Sequence, residues 1–208
     1  MINKKLVQFT HQDVTLAPVQ NLYNGFFNID LYQFKHALFA GGESELISRE
    51  ILERGDAVAV LPYDPLTDSV LLIEQIRIGA IKSKNSPWLL ECIAGMTDGS
   101  DDYEAVVKKE AFEEAGLTLT QLEFMLSYLS SPGGTTERLH LYLACADLSH
   151  TKSGLYGLQS EGEDIKTHIL TLDDALARLK SGEIDNAATV ICLQWLALNR
   201  KGMIDKWT

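Results

Sequence analysis

The order of apolar runs and turn residues predicts an α+β fold, an α/β/α sandwich in which a mixed β-sheet lies between helices, with a small antiparallel sheet added at the amino end. Three observations predict it. Strand-like alternation fills the first 55 residues, runs richer in Val, Leu and Ile follow, and the later strands are interrupted by one acidic helix and closed by two more. A chain of 208 residues with 46% hydrophobic content and 5 Pro is long enough for a core domain with an appendage, and its composition is that of a folded, soluble protein. The expected division is residues 1–55 as the amino-terminal sheet and 56–208 as the main domain.

In order along the chain, DVTLAPVQ (13–20), FFNIDLYQFKHALF (26–39) and ELISREILER (45–54) alternate apolar and polar residues, with Gly25 and Gly41-Gly42 as punctuation. The stretches DAVAVLPY (56–63), SVLLIEQIR (69–77) and WLLECIAG (88–95) read as strands buried on both faces. A helix is expected from about Asp102 to Ala115, with Gly116 as a left-handed cap. Strands FMLSYLSS (124–131) and RLHLYLACADL (138–148) flank the turn PGGTT, and a Gly-bearing loop leads into DIKTHILTL (164–172). Thr171 with Asp174 resembles a capping box before ALARLKSG, and 187–200 carries a helical apolar stripe. No internal repeat or low-complexity tract is found.

Eighteen basic against 29 acidic residues give a net charge of -11, which disfavours nucleic acid or an anionic membrane as partner. A polyanionic substrate would need a local answer, a metal ion or a few placed arginines. Cys92, Cys145 and Cys192 are odd in number and lie in apolar runs, so they read as buried thiols in a reducing compartment. The opening MINKKLVQFTHQDV has two lysines but no following apolar core, and no stretch approaches a membrane span; cytoplasm is the expected location. The five histidines, His11, His36, His140, His150 and His168, show no close metal-ligand spacing and read as structural or exposed.

The segment GMTDGSDDYEAVVKKEAFEEAGL (95–117) gathers Glu110, Glu113 and Glu114 on one helix. At about 100 degrees per residue, Glu113 and Glu114 fall within about 60 degrees of Glu110. Ala105, Phe112 and Ala115 are then expected on the other side. Like charges so spaced repel, so either water solvates them or something positive sits between them. The apolar strand and Gly-bearing loop before the helix would bring a strand-end carbonyl near the acids. Several carboxylates plus a backbone oxygen suit Mg2+, which takes oxygen ligands and bridges carboxylates to a substrate phosphate.

In register, this segment resembles the Nudix box: Gly, five residues, Glu, seven residues, Arg-Glu, an apolar residue, any residue, Glu-Glu, any residue, Gly, apolar. Gly95, Glu110, Ala111, Glu113, Glu114, Gly116 and Leu117 match it. Asp101 stands where the family has Glu and Lys109 where it has Arg; both keep their charge, but Asp is a methylene shorter and Lys lacks the planar guanidinium fork.

Within that family the chain is most similar to bacterial ADP-ribose pyrophosphatases, in which a proline lies about fifteen residues beyond the box; Pro132 in SYLSSPGGTTERL stands there, although SPGG alone would read as a hairpin turn. YNGFFNIDLY, REILERG, LIEQIRI, WLLECIAGM and GEIDNAA carry further likeness.

The resemblance implies the Nudix fold and Mg2+-dependent hydrolysis of ADP-ribose to AMP and ribose 5-phosphate, with Mn2+ as a substitute metal. The Ala94 carbonyl, Glu110, Glu113 and Glu114 would hold up to three metal ions that clamp the diphosphate. Glu161 in GLQSEGEDIKTH would be the general base for attack on the adenosyl phosphorus, with Glu163 as the second carboxylate. Substrate contacts implied by the same likeness are Phe26, Arg49, Glu50, Arg77, Met96, Pro132 and Glu137, with Phe26 stacking on adenine and the arginines holding polar and phosphate groups. Relatives exchange the amino-terminal sheet across a homodimer, so a homodimer is expected. The competing readings are a Nudix hydrolase of another nucleotide sugar such as GDP-mannose, and a non-catalytic ADP-ribose sensor; retention of the box acids disfavours the second.

Overall fold

The computed structural model describes residues 6–208. The amino-terminal lysines Lys4 and Lys5, and residues 1–5 of the expected first domain, lie outside the described residues. The chain forms two compact units, the first comprising Met1–Arg54 with Ser130–Glu137, the second Gly55–Leu129 with Arg138–Thr208. The segment 130–137 therefore belongs with the amino-terminal strands, a membership that sequence order hides.

In the first unit, β1 (Val14–Leu16), β2 (Gln20–Asn24), β3 (Asn28–His36) and β4 (Ile47–Glu53) form an antiparallel sheet in which β3 pairs with the other three. The run 13–20 is not one strand: a 3-10 turn, His11–Asp13, is closed by the reciprocal Thr10 and Asp13 bonds before β1. Strand β2, not expected from the sequence, follows Pro18, whose missing N–H interrupts a ladder. Within the single chain no residue of these four strands is buried. Val14, Leu16, Leu22 and Phe26 are exposed, so this sheet leaves its apolar side chains without a core of its own.

The second unit holds an eight-stranded sheet: β5 (Ala57–Asp64), β6 (Ser69–Ile76), β7 (Trp88–Glu91), β8 (Ile93–Met96), β9 (Gln121–Leu129), β10 (Arg138–Cys145), β11 (Leu155–Tyr156) and β12 (Ile165–Thr171). The main path runs β11-β12-β6-β5-β10-β9, with β7 on β6 and β8 on β5. Only β10 and β5 pair parallel, so the sheet is mixed. As the apolar runs predict, β5 is buried along its whole length and β6 nearly so. Helix α1 (Tyr103–Ala115) covers one face over Val58, Val60, Leu71 and Ile73, while α2 (Leu172–Ser181) and α3 (Ala187–Trp207) cover the other over Leu61, Val70 and Leu72.

The run WLLECIAG divides into two strands. Beyond Tyr63 and Val70 the strands β5 and β6 part, and the two halves of the run fill the gap, β7 against β6 and β8 against β5. At the break, the buried Cys92 N–H leaves the ladder and donates to Thr189 Oγ1 at 2.8 Å. Asn186, the N-cap of α3, adds Nδ2 to Leu90 O at 2.7 Å.

Other expectations shift for local reasons. Thr171 caps α2 through the Asp174 N–H, but the Asp174 carboxylate pairs with Arg178, so the capping box is half formed. Helix α3 continues past Arg200 to Trp207, where Met203, Ile204 and Trp207 pack on the core. Gly116 takes the expected left-handed conformation (φ 65), its N–H donating a bifurcated hydrogen bond back to Ala111 O and Phe112 O. Cys92 and Cys192 are buried free thiols, while Cys145, at the end of β10, is half-buried.

Replacing Thr189 with Val keeps its shape and leaves the buried Cys92 N–H without an acceptor. The expected loss is about 1–3 kcal/mol of unfolding free energy, read by urea denaturation; an unchanged midpoint would show that this bond does not anchor α3.

Candidate active site

Helix α1 starts where Asp102 accepts the Ala105 N–H at 3.1 Å. Its core-facing residues are Val107, Ala111, Glu114 and Ala115. The acids therefore adjoin the buried stripe, and it is Phe112, 65% exposed, that faces water, together with Ala105. On the side away from the acids, Ala115 is buried while Ala105 and Phe112 meet water, and Val107 and Ala111 put the main packing stripe next to the carboxylates.

Glu114 is 2% exposed and its Oε2 accepts the Ala94 N–H at 3.1 Å. Burial pushes its carboxyl up to about 8, partly offset by the Ala94 bond and raised further by Glu163 and Glu110. Glu110, half-buried, is also pushed up by burial, with Lys109 opposing. It lies against Gly95: a Cβ there would meet Glu110 Cδ at 2.2 Å, so the glycine is needed for the close approach of helix and strand.

The positive group between the acids is Lys109. Its Nζ lies 3.1 Å from Glu110 Oε1 and 2.8 Å from Glu113 Oε2, which raises the ammonium pKa. One point charge serves two carboxylates, the geometry a compact ammonium allows. Asp101 is exposed and makes no hydrogen bond among the described residues; bracing of this loop comes from Ser100 Oγ, which accepts the Asp102 N–H at 3.1 Å.

The loop after β11 reaches the same helix. The Gly157 N–H donates to Glu113 O at 3.3 Å, and Tyr156 lies against Gly116. Glu163 is half-buried, its Oε2 holding the Leu158 N–H at 2.9 Å, and it acts electrostatically on both Glu110 and Glu114. Glu161 ends the exposed 3-10 turn Gln159–Glu161 and has no hydrogen bond to its carboxylate among the described residues. Arg77, expected to hold substrate groups, is paired with Glu91: Nε to Oε2 at 2.8 Å. It also favours the charged form of Glu114. Met96 ends β8, half-buried, opposite Ala57.

Ala94, Met96, Glu110, Glu113, Glu114, Glu163 and Arg77 are thus brought to one side of the second unit. Glu161 lies in the same unit on its exposed turn, and the remaining predicted residues, Phe26, Arg49, Glu50, Pro132 and Glu137, belong to the first unit. Phe26 is 89% exposed, edge-on to Phe27. Arg49, exposed, donates to Ser48 O, and with Pro132 it lines an open cavity of about 450 Å³ that also includes Tyr32 and Phe34. Glu50 is exposed in β4 opposite Leu31, and Glu137 is paired with Arg54 at 3.3 Å.

The donor set is all oxygen, three carboxylates and a strand carbonyl, and in kind it fits a hard divalent cation. As they stand, Glu110 and Glu113 turn to Lys109 and Glu114 to Ala94, and no three acidic, His or Cys side chains among the described residues converge as ligands. Binding a cation would draw the carboxylates off Lys109.

A family model described as NUDIX domain matches residues 53–190. The chain belongs to the Nudix family. It is 46% identical to an ADP-ribose pyrophosphatase of Escherichia coli (strain K12), over 97% of this chain and 96% of that one. With an ADP-ribose pyrophosphatase of Haemophilus influenzae the identity is 45%, over 98% and 94% of the two chains. The crystal structure of an ADP compounds hydrolase superposes with a TM-score of 0.70 at 18% identity, covering 94% of this chain and 98% of that one, a likeness of fold. Glu110, Glu113 and Glu114 lie in the segment 95–117 that resembles the Nudix box.

Sequence reasoning missed Lys109 as the bridge, although its spacing of four from Glu113 offers it. It also missed the buried amide of Gln75, a polar residue inside an apolar strand.

Burying Glu114 should cost stability. Its pKa is raised from an unfolded value of about 4.3 to about 8. The cost is absent below the lower value, grows between the two and is complete above the upper one. At pH 9 with chelator, Glu114→Gln, which can still accept the Ala94 N–H, should raise Tm by at least about 3 °C, the shift that about 1 kcal/mol gives in a domain of this size. At pH 4 the two proteins should melt together.

Proposed function

We propose that this protein is a cytoplasmic, homodimeric ADP-ribose pyrophosphatase, a Mg2+-dependent hydrolase that yields AMP and ribose 5-phosphate and accepts Mn2+ in place of Mg2+. The observation that carries the reading is the buried box carboxylate Glu114 held to strand β8 beside Glu110 and Glu113, in a chain that aligns end to end with relatives named for this activity. Among the described residues no helix is long and apolar enough to cross a membrane, and the net charge of -11 disfavours a nucleic-acid partner.

In this reading the Ala94 carbonyl, Glu110, Glu113 and Glu114 would hold the metal. The metal, when bound, neutralises the diphosphate and makes water more acidic. Gly95 lets Glu110 approach the strand, and Lys109 shields Glu110 and Glu113 from one another. Glu161, exposed and unencumbered, accepts the proton of the water that attacks the adenosyl phosphorus. Glu163 holds the loop through the Leu158 N–H and adds a second carboxylate. Arg77 leaves Glu91 to bind a phosphate, a charge-assisted contact suited to its planar fork, and Met96 lines the substrate. Of the other substrate contacts that the family resemblance implies, Phe26 stacks on the adenine and Arg49 holds polar and phosphate groups; Glu50, Pro132 and Glu137 complete the set. The exposed apolar residues of that sheet support exchange of the amino-terminal strands in a homodimer.

Purified protein should release AMP from ADP-ribose with Mg2+ and none with chelator. It should prefer ADP-ribose to GDP-mannose at equal concentration, and Glu114→Gln should lose at least about a hundredfold in kcat, the scale of a lost electrostatic group at a reacting centre. Turnover of GDP-mannose alone would move the specificity. Binding of ADP-ribose without turnover would make the protein a sensor.

A further inference from the structure

Gln75 Nε2 is the one buried side-chain polar atom without a hydrogen-bond partner among the described residues. The residue is 6% exposed. A buried donor left unpaired costs about 1–3 kcal/mol, and such a cost in a folded domain calls for an acceptor that arrives later.

The strand ladder shows where the amide lies. Leu71 and Ile73 pack on the α1 side, and by strand alternation Gln75 shares that side. Gln75 stands opposite Leu89, and Ile73 opposite Glu91. Arg77, still extended, has its N–H on Pro87 O, one row further along. The Arg77–Glu91 ion pair therefore crosses the Gln75–Leu89 row on the face that carries Gln75. Nearby carboxylates already have donors: Glu91 from Arg77, Glu114 from Ala94 and Glu163 from Leu158. Arg77 and Glu163 both act electrostatically on Glu114, so the ion pair that crosses the Gln75 row lies within electrostatic reach of the acids of α1.

We propose that Gln75 is a substrate-binding residue whose side-chain amide donates to a phosphoryl oxygen of the nucleoside diphosphate sugar once Arg77 has left Glu91 for the same anion. The inference rests on the diphosphate-hydrolase reading. Opening the ion pair clears the Gln75 row, and the terminal torsion of the amide turns easily, so one movement presents a charged donor and a neutral one to the incoming diphosphate. In a chain of net charge -11, donors of this local kind replace a general positive field.

Two variants test it by steady-state kinetics on ADP-ribose with Mg2+, each with a melting curve. Gln75→Leu keeps the volume and removes the donor; Gln75→Glu keeps the shape and replaces the donor with a charge. Gln75→Leu should raise KM about tenfold with kcat within about twofold, the split expected for an interaction made equally in ground and transition states. Its Tm should equal or exceed that of the parent, because no buried donor is left unpaired. Gln75→Glu should raise KM further. An unchanged KM in both variants, or a loss confined to kcat with a lowered Tm, overturns the inference while leaving the hydrolase reading intact. A parent protein that releases no AMP overturns both. Gln75→Met repeats the test if the Leu variant fails to fold.

Discussion

A carboxylate buried against a sheet governs the rest of this molecule. Glu114 lies between helix α1 and strand β8 with one backbone N–H as its hydrogen-bond partner, and desolvation pushes its carboxyl up to about 8. Nothing in packing favours that arrangement over a Leu or Met at the same place. The cost is borne by the neighbours: Val107, Ala111 and Ala115 fill the adjoining stripe with Ile93 and Val58 and fix the helix on the sheet. Rigid placement is what such a site requires, since a ligand set held to a fraction of an ångström loses little on binding.

The strands under the helix are shaped for the same end. Splitting 88–96 into β7 and β8 lets one segment serve two diverging partners, and the break at Cys92 is closed from the opposite helical layer by Thr189. Ala94, with its N–H turned to Glu114, and Gly95, beneath Glu110, follow directly. Both helical layers thus meet at this strand, and the acids inherit their precision from it. Electrostatics complete the arrangement: Lys109 answers two carboxylates at once, and Arg77 answers Glu91 while acting on Glu114. An acidic protein can thereby keep a dense set of carboxylates without dispersing them into water.

Much of this was legible in the residues. The period of the apolar runs gave the mixed sheet and its flanking helices, Gly116 marked the end of α1, and the spacing of the acids with Gly95 pointed to the box. What stayed hidden depends on pairing across distance. A run such as WLLECIAG has no internal mark for a change of partner, because both halves are equally apolar. Helical angle alone put the acids on one face but did not say that the core stripe adjoins it, since Phe112 looks like a packing residue and is not. Membership of 130–137 in the amino-terminal unit, and the crossing of the Gln75 row by the Arg77–Glu91 pair, likewise arise from contacts made far along the chain. Gln75 did carry a signal, an amide in an otherwise apolar strand.

The most direct test is a titration of Mn2+ against the protein, followed by electron paramagnetic resonance at pH 6.5 and pH 8.5, for the parent chain and for a Glu110→Gln, Glu114→Gln double variant. Carboxylates must be ionised to hold a cation, and burial raises both groups. Binding should therefore strengthen from the lower to the higher pH in the parent and fall by at least about tenfold in the variant. Equal affinity in the two proteins, or binding that does not respond to pH, would mean that the cation is held elsewhere and that the buried carboxylates of α1 are not the metal site.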